Sequence, residues 1–480
     1  MTDARRTRPY LFYDTSTSVC AVCLRRVEAK VLLQDGAVFL EKWCPEHGKA
    51  RVLLADDADY WRMAREKFLK APELPGVCAT PTRWGCPYDC GLCPDHMQHS
   101  CLALLEITDS CNLRCPVCYA GSGPERTTSR TLEDVERMLD ALVASEGAPD
   151  VVQVSGGEPT IHPRFFEILD AARRRPIRHL MVNTNGIRIA NEEGFAERLA
   201  SYAPGFEVYL QFDSLRDDAN RALRGAALAE TRLRALDRLD ALNLSTTLVV
   251  TVMRGLNDGE IGDLVRFALS RRSVRGVTLQ PVQVAGRTDG VDAGRDRLTL
   301  TEVRRRLLEQ TDVFKAADVI PVPCNPDALA MGYALKAGGR TVPLTGLLDP
   351  QILLAEARNT IVYEKDDAVK RHALKLFSTG TGPEAAAETL QELLCCLPKV
   401  GVPAGLSYEN LFRVLIVAFL DAHGFETRVA KRSCIHMVQP DGRLIPFDTY
   451  NLFYRDGAAA RLESLRAGVD AAFRPEVTPP

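Results

Sequence analysis

Eleven of the chain's 15 cysteines fall between Cys20 and Cys118, and this crowding limits the possible folds more than any other feature. Small secreted domains use dense cysteines as disulfide frameworks, but such domains are short and carry an export signal. This chain has 480 residues, and its opening MTDARRTRPYLFYDT contains no apolar stretch of the signal type. Cysteines gathered in a reducing compartment point instead to metal or iron–sulfur ligation. The expectation is an oxygen-sensitive, cytoplasmic protein. No stretch approaches the ~18 apolar residues of a membrane-spanning helix. Hydrophobic residues make up 46% of the chain, enough to bury a large core. A formal net charge of -3 argues against a general polyanion binder, a local basic patch aside, so no nucleic-acid partner is expected.

Three regions separate along the chain. Residues 1–101 are Cys-rich. Within them Val27 to Leu33 and Ala37 to Lys42 flank Gln34-Asp35-Gly36 and read as a β-hairpin, followed by a helical pattern from about Asp59 to Leu69. Residues 102–290 alternate six apolar runs with amphipathic segments. The runs are LALLEIT, VVQVSG, HLMVNTNG, EVYLQFD, TTLVVTVM and GVTLQPV. That alternation predicts βαβ units, and polar residues at the strand ends place a site on the C-terminal edge. Residues 291–480 read as helical first, with an apolar run and turn in HMVQPDGRLIPF and a disordered tail, RPEVTPP. The fold class is α/β: a partial (β/α)6 TIM-type barrel between an N-terminal metal-knuckle domain and a C-terminal α+β domain.

Cys111, Cys115 and Cys118 sit in SCNLRCPVCYA, directly after the first barrel run. Three thiolates at C-x3-C-x2-C spacing can hold three irons of a [4Fe–4S] cluster, whereas an electron-carrying cluster normally has four. The missing ligand leaves one iron open. The alternatives are completion by a distant Cys, or a zinc site. One βα unit later, SGGEPTIHP brings two glycines that admit a ligand close to the backbone, with Glu158 beside them. Alone, that turn is a weak signal; with the cysteine triplet it is strong.

The pair resembles the radical S-adenosylmethionine (SAM) superfamily, and Tyr119 after the third Cys fits it too. The resemblance implies that the open iron chelates SAM. Gly156, Gly157 and Glu158 would hold its methionine amino group, and a 5′-deoxyadenosyl radical would abstract hydrogen from a substrate. Asn183, Thr184, Asn185, Gln211, Asp213 and Thr251, at the ends of the later strands, are candidate contacts to methionine, ribose or substrate. A reducing donor such as flavodoxin or ferredoxin is implied.

Further metal sites are expected. Cys20, Cys23, Cys44 and His47 bracket the hairpin as two knuckles, giving a tetrahedral site for zinc or a rubredoxin-like iron. Cys86, Cys90 and Cys93 form a second C-x3-C-x2-C, with Cys78 or Cys101 as its fourth ligand. It lacks a preceding strand and a following Gly-Gly-Glu-Pro, so it suits an auxiliary cluster. Cys324, Cys395 or its neighbour Cys396, and Cys434 form a third candidate group, for which His436 or Asp448 can substitute.

The order of these motifs is similar to the branch containing tetraether lipid synthase and the methanogen dihydropterin methylase. That branch carries a second Cys shortly after the position of Cys324, where this chain has Ala328, Leu329 and Ala330. The resemblance implies C–C bond formation on a lipid alkyl chain, with a peripheral membrane contact. NLFRVLIVAFLDAHGF (Asn410–Phe425) reads as an apolar helix, a buried core helix first and the wall of a lipid tunnel as the alternative. The alternative activity is radical methylation of a pterin-like heterocycle. A non-catalytic iron–sulfur electron carrier is the reading from a different class.

Overall fold

The computed structural model describes residues 8–337, 340–347, 354, 410–455 and 457–473. The chain opens with a four-stranded antiparallel sheet in sequence order: β1 (Leu11–Val19), β2 (Arg26–Gln34), β3 (Ala37–Cys44) and β4 (Gly48–Ala55). The expected hairpin is β2–β3. Its two turn residues, Asp35 and Gly36, have φ of 51° and 75°, the left-handed pair that a two-residue hairpin requires. β1 is largely solvent-facing and rich in Ser and Thr, so it has no apolar alternation to announce it. The helix α1 (Ala58–Lys67) follows, capped by Asp57, whose carboxylate accepts from Tyr60 N–H at 2.9 Å.

All six barrel strands form. β5 (Leu102–Glu106) is followed by a two-residue strand β6 (Val117–Cys118), then β7 (Val151–Ser155), β8 (His179–Thr184), β9 (Phe206–Gln211), β10 (Thr246–Val252) and β11 (Val274–Pro281). β5, β7, β8, β9, β10 and β11 lie side by side, parallel and in chain order. The helices α2 (Leu132–Glu146), α3 (Phe165–Arg173), α4 (Ile187–Asn191), α5 (Phe195–Ala200), α6 (Asp217–Arg224), α7 (Ala229–Ala241) and α8 (Ile261–Ser270) occupy the crossovers. This is the expected partial barrel. Alternate strand residues divide between its two faces. Val152, Val154, Val182, Val208 and Val250 pack outward against the helices, while Leu104, Val151 and Met181 turn into a second, inner apolar cluster. The entry to α2 is fixed by a capping box between Thr131 and Asp134, an arrangement that stabilises a helix start by about 1 kcal/mol.

Strands from the third region extend the same sheet. After β12 (Arg287–Thr288) and α9 (Leu300–Gln310) come β13 (Ile320–Pro321), β14 (Leu329–Ala337), β15 (Arg340–Pro343), β16 (Leu411–Val417), β17 (Ile435–Val438) and β18 (Leu444–Pro446). β16 runs parallel beside β11, and β17 parallel beside β5. The run NLFRVLIVAFLDAHGF is therefore neither a buried core helix nor a tunnel-walling one. It supplies β16 and then a loop. A continuous apolar run does not by itself distinguish a buried helix from a strand. Here Val414, Ile416 and Val417 are β-branched, and the strand they form lies buried in the sheet between β11 and β14. The turn in HMVQPDGRLIPF is the β17–β18 hairpin. The tail RPEVTPP, Cys395 and Cys396 lie outside the described residues.

Near the N-terminal ends of the barrel strands, buried Glu207 pairs with His179 at 3.1 Å and Arg413 at 2.9 Å. This three-membered charge cluster occupies the barrel below the site.

Candidate active site and metal centres

The chain leaves β5 and passes through Cys111, Cys115 and Cys118, and all three line a cavity of about 170 Å³ inside the C-terminal end of the barrel. Burial pushes the Cys111 thiol up to about 12 and also raises Cys115. Buried thiols of this kind become thiolates when a cation takes the charge, so the donor set fits an iron–sulfur cluster. Arg287 on β12 fastens the loop by donating to the Cys115 carbonyl at 2.6 Å and the Ser122 carbonyl at 2.5 Å.

The glycines of SGGEP have a specific task. Gly157 N–H donates to Thr108 O at 2.7 Å and Glu158 N–H to Ser110 O at 2.9 Å, so the turn lies directly on the cysteine loop. A Cβ on Gly156 would stand 2.3 Å from Thr108 O, and one on Gly157 2.2 Å from Ser110 O. Gly156 also has a φ of 133°. Glu158 is buried and its carboxylate is used by the protein. It accepts from Thr160 N–H, Thr160 Oγ1, Thr184 Oγ1 and Asn185 N–H at 2.5–3.1 Å. Burial raises its pKa against the pull of those bonds. The side chain ties the ends of β7 and β8 together, leaving the backbone of this turn to face a ligand.

Tyr119, Gly156, Gly157, Glu158, Asn183, Thr184, Asn185, Gln211 and Thr251 all line the cavity. Asp213 stands behind this wall. Its carboxylate accepts from Arg224 at 2.7 and 2.8 Å, from Gln211 Nε2 at 2.8 Å and from Thr251 N–H at 3.0 Å. Arg232 approaches it at 3.2 Å. Burial pushes Asp213 up, but Arg224 and then Arg232 outweigh it and hold the group near 2. Sequence reading missed both arginines, which line the cavity; on amphipathic helices they look like ordinary solvated charges. A buried strand-end Asp requires a cation, and that was the available signal. Two guanidiniums sharing one carboxylate leave positive charge beside Cys115 and Cys118.

The knuckles converge as expected. Cys20, Cys23, Cys44 and His47 bring four ligand atoms within 4.8 Å of one another. Cys44 Sγ lies 3.5 Å from His47 Nδ1, and Cys23 Sγ 3.8 Å from Cys44 Sγ. Burial raises the Cys44 thiol, but the contact with His47 and nearby backbone N–H groups bring it down to about 6, a thiolate ready for a metal.

The remaining cysteines regroup. Cys101 does not complete Cys86, Cys90 and Cys93. It meets Cys324 and Cys434, the three thiols lying buried within 4.8 Å of one another. The reason is strand pairing. Cys101 and Cys434 directly precede the neighbouring strands β5 and β17, and Leu102 N–H donates to Cys434 O at 3.1 Å. Cys86, Cys90 and Cys93 line their own small pocket with Asp89, Asp95 and His96, and Cys78 is exposed. The two proposed substitutes point elsewhere. His436 Nε2 meets His96 Nε2 at 3.1 Å, and Asp448 accepts from Leu420 N–H at 2.6 Å.

The family model of the radical SAM superfamily matches residues 105–268, and that of the HMPTM N-terminal zinc ribbon domain matches residues 12–56. The 7,8-dihydro-6-hydroxymethylpterin dimethyltransferase of Methanocaldococcus jannaschii is 30% identical, over 91% of this chain and 93% of its own. A GTP 3',8-cyclase of Geobacter sulfurreducens is 31% identical over 35% of this chain and 51% of its own. Among solved structures, Streptococcus suis SuiB bound to precursor peptide SuiA aligns with a TM-score of 0.37 and 18% identity, covering 44% of this chain and 45% of that one. A cysteine triplet seated on its Gly-Gly-Glu turn, and a relative matched almost end to end, make this chain a radical SAM enzyme of the family to which the Methanocaldococcus protein belongs.

Proposed function

We propose that the enzyme removes a hydrogen atom from an unactivated carbon and forms a carbon–carbon bond there, on a reduced, pterin-like ring. The observation that carries this reading is the make-up of the inner half of the cavity. One wall is apolar, from Leu102, Leu415, Val417, Phe419, Ile435 and Phe447, and it faces a few polar groups, Gln153, Tyr209 and Gln280. A small, flat heterocycle suits a pocket of apolar walls with few polar contacts. The methyl-transferring activity in the name of the Methanocaldococcus relative supports it.

When bound, a [4Fe–4S] cluster with SAM supplies a 5′-deoxyadenosyl radical. Cys111, Cys115 and Cys118 would hold the cluster. Arg224, whose N–H groups are taken by Asp213, the Val117 carbonyl and Thr251, would place positive charge near the methionine carboxylate, and Asn183, Gln211 and Thr251 would orient the remainder. The apolar wall keeps water from a reactive carbon centre. The knuckle would hold zinc or a single iron. Cys101, Cys324 and Cys434, and separately Cys86, Cys90 and Cys93, would hold auxiliary clusters, fed by a flavodoxin- or ferredoxin-like donor.

A second reading, coupling of lipid alkyl chains at a membrane surface, is favoured by the apolar wall alone. The test is mass spectrometry of polar and lipid extracts from cells expressing wild type or Cys115→Ala. A one-carbon gain on a pterin, present only with wild type, supports the first reading. A lipid with the mass of two chains joined with loss of hydrogen replaces it with the second.

A further inference from the structure

Gln153 occupies the middle of β7 and its side chain enters the cavity. It is 3% exposed, and among the described residues its amide takes part in no hydrogen bond. The other carboxamides of the wall are held by the protein. Asn183 Nδ2 donates to Ser155 Oγ at 3.3 Å, Gln211 Nε2 to Asp213, Gln280 Nε2 to Tyr209 Oη at 3.3 Å, and Gln283 Nε2 to Leu420 O. The amide atoms of Gln153 are not among the fully enclosed polar atoms left without a partner; they are open to the cavity, so a ligand seated there finds both groups free to pair.

The place of Gln153 says which ligand it serves. Its register partners on β5 and β8 are Leu104 and Met181, both in the inner apolar cluster. It is therefore an isolated polar group among apolar neighbours. It lies three residues before Gly156, about 10 Å along the strand at ~3.3 Å per residue. That is deeper than the cysteine loop, at the level of the substrate half. Tyr209 stands two residues below Gln211 on β9 and faces the same space, its hydroxyl held by Gln280.

We propose that Gln153 is a specificity-determining residue, pairing its amide oxygen and N–H2 with a lactam edge of the substrate, an adjacent ring N–H and C=O. Tyr209 meets the same ring from further round the barrel. The inference rests on the ring-substrate reading above. A primary amide is self-complementary to a lactam, satisfying both of its groups at once, whereas a hydrocarbon would leave both unmet.

The experiment uses the reconstituted holoenzyme under anaerobic conditions, with Gln153→Leu and the length-preserving Gln153→Met. The probe is 6-hydroxymethyl-7,8-dihydropterin, titrated in the presence of SAM. SAM affinity and the thermal midpoint are measured alongside. Both variants are expected to bind the pterin about 10- to 100-fold more weakly, with SAM affinity unchanged and a midpoint close to that of wild type, because the amide faces the cavity and holds no other part of the protein. Undiminished pterin binding in the variants overturns the role of Gln153 while leaving the ring reading intact. A midpoint several degrees lower overturns it in favour of a packing role. A wild type that binds SAM but not the pterin overturns the ring reading and this inference with it.

Discussion

Gly157 shows how little room the site leaves at the scale of one residue. A methyl group there would meet the Ser110 carbonyl at 2.2 Å, and the obstacle is backbone, which cannot rotate away. Gly157→Ala is expected to cost roughly 1–3 kcal/mol of stability and to lower iron bound at the cysteine loop, with the knuckle metal retained. Denaturant midpoints and metal analysis of the purified variant check both. The cysteine triplet and its Gly-Gly-Glu partner were legible because each is a contiguous motif whose residue types follow from what it must hold. The cations around Asp213 were not. Arg224 and Arg232 reach it from helices whose arginines resemble those on any solvated face, and only the folded chain shows which of them are buried. Likewise, no local pattern announces that the Glu158 carboxylate closes hydrogen bonds between the ends of β7 and β8.

Among elements, the short helix Phe447–Thr449 joins the apolar wall to the C-terminal segment. Its Asp448 is buried, and burial pushes the carboxyl up to about 7 against the hydrogen bond from Leu420 N–H. A carboxyl raised in this way favours the folded state when protonated. That contribution is complete below the unfolded value near 4 and is lost as pH rises through 7, at about 1.4 kcal/mol per pH unit between the two. Wild type is expected to lose more stability than Asp448→Asn between pH 5 and pH 8, measured as the difference in denaturant midpoints; parallel profiles would show that Asp448 titrates normally. Element types were legible where period and length agreed, as in the six barrel strands. They were not for Leu411–Val417, because a buried apolar run carries no period and only the open place beside β11 decides it.

At the scale of the molecule, the three regions share structure more closely than the sequence suggests. β16 and β17 come from the third region yet flank the barrel sheet, and α1 of the first region holds the loop carrying Cys324. Arg65, stacked on Trp61, pairs with Asp327 at 2.5 Å and with Glu426 at 2.6 Å, all three nearly inaccessible to solvent. Removing the cation leaves two buried carboxylates uncompensated, a change that typically costs about 3–5 kcal/mol. Arg65→Met is expected to show that loss in equilibrium unfolding, and to release the iron proposed for the Cys101, Cys324 and Cys434 group before that of the radical site. These ties cross hundreds of residues of sequence, so no local pattern announces them.

The central claim is that Cys111, Cys115 and Cys118 make the radical site while the other cysteine groups do not. Its most direct test is the yield of 5′-deoxyadenosine from reconstituted, reduced wild type and Cys115→Ala supplied with SAM, with the metal of the N-terminal knuckle measured in the same samples. The account predicts 5′-deoxyadenosine from wild type, none from the variant, and equal knuckle metal in both. If Cys115→Ala still produces 5′-deoxyadenosine, the radical chemistry belongs to another triplet and the account is wrong.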